Sequence, residues 1–100
     1  MKIKNCFQEK KMFGQVMMIP YGIQGSTVNG VIRLNKPGYA IWKWIEEGLS
    51  EEEIVPKLAE KFKISAEKAR GDVHGLIGQM RAAGVFEDDI DWQHTNLKDI

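Results

Sequence analysis

The sequence predicts an α+β, winged-helix-like domain: a three-stranded antiparallel sheet followed by a three-helix bundle. Two observations predict it. The apolar pattern is strand-like through Leu34 and switches to a helical period from Asn35 onward. After that switch, three helical stretches follow one another, each with its own start and stop signals.

The strands come first. Phe7–Met12 is a short candidate bounded by Gly14, and Gln15–Pro20 is an apolar run that ends where Pro20 removes a backbone donor. Residues 22–27, Gly-Ile-Gln-Gly-Ser-Thr, have the composition of a turn or loop. Residues 28–34 alternate: Val28, Gly30, Ile32 and Leu34 point one way, and Asn29, Val31 and Arg33 the other. One face belongs on a core and the other is half polar, as on an edge strand. Short connections join antiparallel neighbours, so a meander is the simplest assembly.

The first helix begins at Asn35 or Lys36, with Pro37 suited to an early helical position. Ile41, Trp42 and Ile45 form its apolar stripe, with Trp44 on the flank, and Gly48 stops it. The second helix has a capping box, Ser50 with Glu53 three residues later, and Glu51 and Glu52 suit the positive end of the helix dipole. Ile54, Leu58 and Phe62 repeat along it. Pro56 falls past the first turn, where it deletes a backbone bond, and predicts a bend or a tightened first turn. The third helix spans residues 66–83 with Ser65 as cap. At roughly 100° per residue, Ala69, Val73, Leu76, Ile77 and Met80 share its core face. Gly84 ends it, and Val85 and Phe86 return an apolar pair to the bundle. Residues 1–87 thus form the domain. Residues 88–100 read as an acidic, mobile tail that Trp92 could anchor.

The totals narrow the function. One hundred residues make one domain with an ordinary apolar content of 43%. Fourteen basic and fourteen acidic residues give a net charge of zero, whereas a duplex binder carries a basic excess. The single cysteine, Cys6, cannot form an internal disulfide or a multi-cysteine metal site and reads as a small buried residue. There is no apolar signal segment at the start and no run of the ~20 apolar residues a membrane span needs, so a cytoplasmic protein without membrane contact is expected.

The residues offer little chemistry. His74 and His94 are far apart and have no ligand-type residue at metal spacing. The run Glu51–Glu53 is cap and dipole chemistry rather than an acid/base pair. Gly22, Gly25 and Gly30 make no phosphate loop. No catalytic residue, metal or cofactor is expected.

The third helix carries two further stripes. Arg70, His74, Ile77 and Arg81 form one along the margin of the core face; it is either a solvated flank with Arg stems on the core or one wall of a groove for an acidic, amphipathic peptide. Gly71, Gly75 and Gly78, continued by Ala82, form another nearly opposite the core. Each glycine costs about 0.5–1 kcal/mol against Ala in a helix interior. That stripe is either an unconstrained exposed face or a surface where another backbone approaches, a docking partner or a dimer contact. A winged-helix reader of DNA is the alternative module. The mixed charges Glu67, Asp72, Arg70 and Arg81 and the bare glycine face argue against it.

In order and spacing, Val31-Ile32-Arg33-Leu34-Asn35, Ala40-Ile41-Trp42, Glu-Glu-Gly, Ser50-Glu-Glu-Glu-Ile54-Val55, Leu58-Ala-Glu-Lys-Phe62, Asp72-Val73 and Met80-Arg-Ala-Ala-Gly84-Val85 resemble the PqqD family over residues 7–87. The resemblance implies a non-catalytic recognition element for ribosomally synthesised, modified peptides (RiPPs), pyrroloquinoline quinone (PQQ) being one product class. Such a module binds the leader of a precursor peptide and presents it to a modifying enzyme, commonly a radical SAM enzyme or a leader-directed protease or cyclase. The leader adds as an antiparallel strand beside the third strand, in the groove against the third helix. Carried onto this chain, the strand residues are Val28, Asn29, Gly30, Val31, Ile32, Arg33 and Leu34, and the helix residues Arg70, Val73, His74, Ile77 and Arg81. The residues agree at two points: an edge strand offers unpaired N–H and C=O groups to an added strand, and the basic flank is the expected wall. Pro56, on the second helix, and the three glycines, on the third, depart from the family pattern; the glycines imply a third helix that is softer or firms up on binding. A nucleic-acid-binding winged helix or a protein-interaction domain remains the alternative.

Overall fold

The computed structural model describes residues 1–87. The expected acidic tail, with Trp92 and His94, lies outside the described residues. Strands β1 (Phe7–Met12) and β2 (Gln15–Pro20) pair antiparallel in the register Phe7↔Pro20 to Met12↔Gln15. Phe13 and Gly14 join them with φ of 53° and 77°. Positive φ at both central residues is the turn that follows the twist of a tight hairpin. Strand β3 (Ile32–Leu34) pairs antiparallel with β2, Val16↔Leu34, Met17↔Arg33 and Met18↔Ile32. The order β1-β2-β3 leaves β3 at an edge.

The third strand is shorter than the expected residues 28–34. Its first half is committed elsewhere. The Asn29 N–H donates to the Ala83 carbonyl at 2.9 Å, the Gly30 N–H to the Val28 carbonyl at 3.2 Å, and Gly30 has φ 77°. This turn ties the segment to the end of the last helix, and the chain straightens into the sheet only after it. Residues 22–27 are likewise not all loop: α1 (Gly22–Gly25) makes a single helical turn. The hydroxyls of Ser26 and Thr27 donate to the carbonyls of Ile23 and Gln24 at 2.6 and 2.7 Å, satisfying groups that a helix end leaves open.

The three long helices follow as expected, now as α2 (Lys36–Glu46), α3 (Glu51–Phe62) and α4 (Ala66–Ala82). Each starts on a side-chain cap: Ser50 and Ser65 as expected, and Asn35 where the first helix was expected to begin at Asn35 or Lys36. Asn35 Oδ1 accepts from the Gly38 N–H at 2.9 Å, and Ser65 Oγ from the Lys68 N–H at 3.1 Å. Ser50 and Glu53 complete a reciprocal capping box, at 3.2 and 3.0 Å. Helix α3 runs through Pro56 as one element, with Pro56 exposed, so water can serve the carbonyl that loses its partner.

The core lies between the inner sheet face and the helices. Val16, Met18 and Leu34 meet Ile41, Trp42, Ile45, Ile54, Leu58, Val73 and Met80. Trp42 is wholly buried, and Phe7 meets its ring edge-to-face at 5.1 Å between centroids. After α4 the chain returns: Val85 and Phe86 are buried, and Phe86 bridges to Ile3. Buried Lys4 donates from Nζ to Thr27 Oγ1 at 2.7 Å. Cys6 is also buried, and burial pushes its thiol above the ordinary range, which disfavours the reactive thiolate.

Candidate functional site

The edge of β3 is the natural starting point. In a strand bonded on one side, alternate residues turn their N–H and C=O away from the neighbour. Beside this edge runs a groove of about 680 Å³. One wall is Arg33 and Leu34 of β3, with Gln15 of β2 at the end. The opposite wall is α4, through Lys68, Gly71, Asp72, Gly75, Leu76 and Gln79. The start of α2 closes the groove with Pro37, Gly38 and Ile41, and the α3–α4 junction with Phe62 and Ile64.

Local sequence explains each wall. Gly38 is buried in the first turn of α2, where a Cβ would stand 3.0 Å from Asn35 Oδ1 and 3.5 Å from Leu34. Its bareness lets the helix start close against β3. On α4 the glycines act differently. No atom lies within 4 Å of the position a Cβ would take on Gly71, Gly75 or Gly78. They are not there for tight packing within the domain; Gly71 and Gly75 leave open space in the groove.

The floor is apolar and the rim polar. Leu34 and Ile41 are buried, and Phe62, Ile64 and Leu76 are half-buried with their remaining surface in the groove. Leu76 is therefore not a full member of the core, as its spacing suggested; it sits where the core face of α4 turns into the groove. On the rim, Lys68 and Asp72 pair at 3.6 Å, one turn apart. Arg33 is exposed and, among the described residues, has no carboxylate at ion-pair distance.

The expected site residues divide. Ile32, Arg33 and Leu34 form β3, and Arg33 and Leu34 line the groove. Val31 precedes the strand and is exposed; Val28 is buried, and Asn29 and Gly30 belong to the turn before it. None of the expected helix residues lines the groove. Val73 and Ile77 are buried in the core. His74 Nδ1 lies 3.1 Å from Glu51 Oε2 on α3, and Arg70 borders a separate depression with Glu51, Glu52, Val55 and Pro56. Arg81 stands over the Phe86 ring at 5.5 Å. The basic flank thus faces α3 and the Val85–Phe86 segment that follows α4, and the flank of Lys68, Asp72, Leu76 and Gln79 faces β3. The sequence contained one signal for this: Leu76 is a large apolar residue on the second flank, beside the glycines.

Among the described residues no three His, Cys, Asp or Glu side chains cluster to hold a metal ion. No helix there is long and apolar enough to cross a membrane.

Comparison with known proteins bears on this arrangement. The family model described as coenzyme PQQ synthesis protein D (PqqD) matches residues 14–85. The solved structure of TbiB1 in complex with the TbiA(beta) leader peptide aligns with a TM-score of 0.68 at 21% identity, covering 87% of this chain and 95% of that chain. At that identity the likeness is one of fold, and it includes the sheet followed by helices. The curated proteins give no match. With a family model spanning β2, β3 and all three long helices, this chain belongs to the PqqD family.

Proposed function

We propose that this protein is a non-catalytic recognition module that binds the leader of a ribosomally made precursor peptide and delivers it to a modifying enzyme. The observation that carries the reading is the unpaired edge of β3 forming one wall of a groove whose opposite wall, on α4, is cleared by Gly71 and Gly75. A strand laid along β3 gains main-chain hydrogen bonds there, and alternate side chains enter the groove. Family membership and the leader-bound fold neighbour support the same reading. The contact residues proposed are Ile32, Arg33 and Leu34, with Val31 at the strand's start, and on α4 Lys68, Gly71, Asp72, Gly75 and Leu76.

The partner enzyme is of the radical SAM or the leader-directed protease or cyclase type, and the encounter takes place in the cytoplasm, where precursor peptides are made. Titration of the ¹⁵N-labelled protein with the leaders of short precursor peptides sought among its neighbouring genes tests the reading. Amide shifts at residues 31–34 and 68–79 are expected. Binding that moves neither segment, or no binding to any such leader, overturns it.

A further inference from the structure

We infer that the groove selects a two-residue pattern in its peptide: a large apolar residue followed by an acidic residue. The inference rests on the strand-addition reading above and adds which side chains the strand carries. Along an added strand, successive side chains point to opposite faces. The residue opposite Arg33 shares the outer face of the sheet with it, while those opposite Leu34 and Ile32 turn inward to the helices. In antiparallel pairing the residue opposite Leu34 comes first in the peptide.

The charge follows from the rim. Lys68 is already paired with Asp72 on α4, at 3.6 Å. Arg33 is the rim cation that has no acidic partner among the described residues, and it sits on the edge strand itself. A carboxylate directly across from it gains a charge-assisted bond with a planar, two-pronged donor. A cation there meets repulsion.

The size follows from α4. The inward residue opposite Leu34 looks into the space bounded by Leu34, Ile41, Leu76 and the bare backbone of Gly71 and Gly75. Nothing lies within 4 Å of a Cβ on either glycine. A helix with ordinary side chains would fill that volume; this one leaves it for the ligand, so an aromatic ring is admitted where a valine would underfill. The apolar lining makes burial of a large side chain the main source of selectivity.

An array of capped twelve-residue peptides tests this on the intact protein. Each has Trp-Glu-Leu, Trp-Ser-Leu, Trp-Lys-Leu or Val-Glu-Leu at its centre, in a constant Thr/Ser strand-forming frame. Affinity is read by anisotropy, and location by amide shifts in β3. Trp-Glu-Leu is expected to bind best, with Trp-Lys-Leu about fivefold to tenfold weaker. The Arg33→Glu variant should reverse that order. Gly75→Leu, an exposed helical position where Leu favours folding, should lower affinity for Trp-Glu-Leu about tenfold and leave Val-Glu-Leu little changed; Gly75→Ala should fall between. Peptides that shift β3 amides with no dependence on the central residue, or no reversal in Arg33→Glu, overturn the pattern and leave strand addition standing. If no peptide of the array shifts β3, strand addition to this edge fails and the pattern with it.

Discussion

Gly84 lies directly against the backbone of Thr27: a Cβ on Gly84 would stand 2.8 Å from the Thr27 carbonyl oxygen. This close approach places the end of α4 beside the turn that precedes β3. The Asn29 N–H to Ala83 carbonyl bond, at 2.9 Å, holds the same junction. The two walls of the groove, β3 and α4, are therefore tied together at one end by backbone rather than by side chains.

Gly84→Ala is accordingly expected to be among the most damaging single-methyl additions in the chain. Gly84 has φ 82°, a left-handed conformation that Ala adopts only with strain, and the added methyl meets backbone that cannot swing away. Strain and overpacking together should cost about 2–4 kcal/mol. Gly48→Ala is the control. Its φ is 96°, but nothing lies within 4 Å of its Cβ position. It should lose only the strain, roughly 1–2 kcal/mol. Urea denaturation of the two variants gives the difference; equal losses would mean that the Thr27 contact is slack.

Gly78→Ala should act in the opposite direction. Gly78 is an exposed helical position that does not line the groove, with open space where a methyl would go. The substitution should stabilise the protein by about 0.5–1 kcal/mol, from reduced backbone freedom in the unfolded chain. For a domain of this size that raises Tm by roughly 2–8 °C. Peptide affinity should not change. Thermal unfolding and a titration on the same sample check both halves.

Much of this was legible in the sequence, and the parts that were not share a cause. The hairpin strands, the helix start at Asn35 or Lys36, the caps at Ser50 and Ser65 and the stop at Gly48 are local, so short-range patterns located them. The length of β3 was not local. It depends on Asn29 finding Ala83, more than fifty residues away, and alternation continued through residues 28–30 without any sign of that bond. The helical turn at Gly22–Gly25 was hidden by glycines that composition assigns to a loop. For α4, periodicity identified the core face correctly at Ala69, Val73, Ile77 and Met80. It could not say which flank of that face lies toward the sheet, because both are equally far from the core; that is fixed by how α4 crosses α2 and α3.

The α3 cap makes the fold acid-sensitive in a defined way. Hydrogen bonds from the Ser50 backbone N–H and the link to its side chain hold the Glu53 carboxyl below the ordinary glutamate value of 4.5. A carboxyl whose pKa is lowered on folding stabilises the native state above its unfolded value. That contribution is complete above pH 4.5 and is lost as pH falls through this value toward the lower folded one. Ser50→Ala should cost about 1 kcal/mol at neutral pH. Ser50→Ala keeps the backbone N–H that is the main partner of the Glu53 carboxyl, so the pH-dependent part is read from Glu53→Gln: its gap from the parent should close in the acid range as the parent carboxyl protonates. Denaturation midpoints measured from pH 7 down to pH 3 follow it, and a Glu53→Gln gap that stays constant would detach Glu53 from the cap.

The two flanks of α4 give the most direct test of the groove. Arg70 and His74 are the side chains that spacing made attractive, yet they face α3, where His74 lies 3.1 Å from Glu51. That contact is exposed, and an exposed polar pair contributes about 0–1 kcal/mol. Arg70→Ala and His74→Ala should therefore leave leader affinity within about twofold and stability within roughly 1 kcal/mol. Leu76→Ala lies on the other flank. It removes apolar floor from a half-buried position, so affinity should fall about tenfold while stability falls by only about 1–2 kcal/mol, less than a fully buried leucine would lose. A titration series on the three variants decides the matter. Loss of binding in Arg70→Ala or His74→Ala with Leu76→Ala unaffected would move the peptide to the α3 side of the helix and away from the edge of β3.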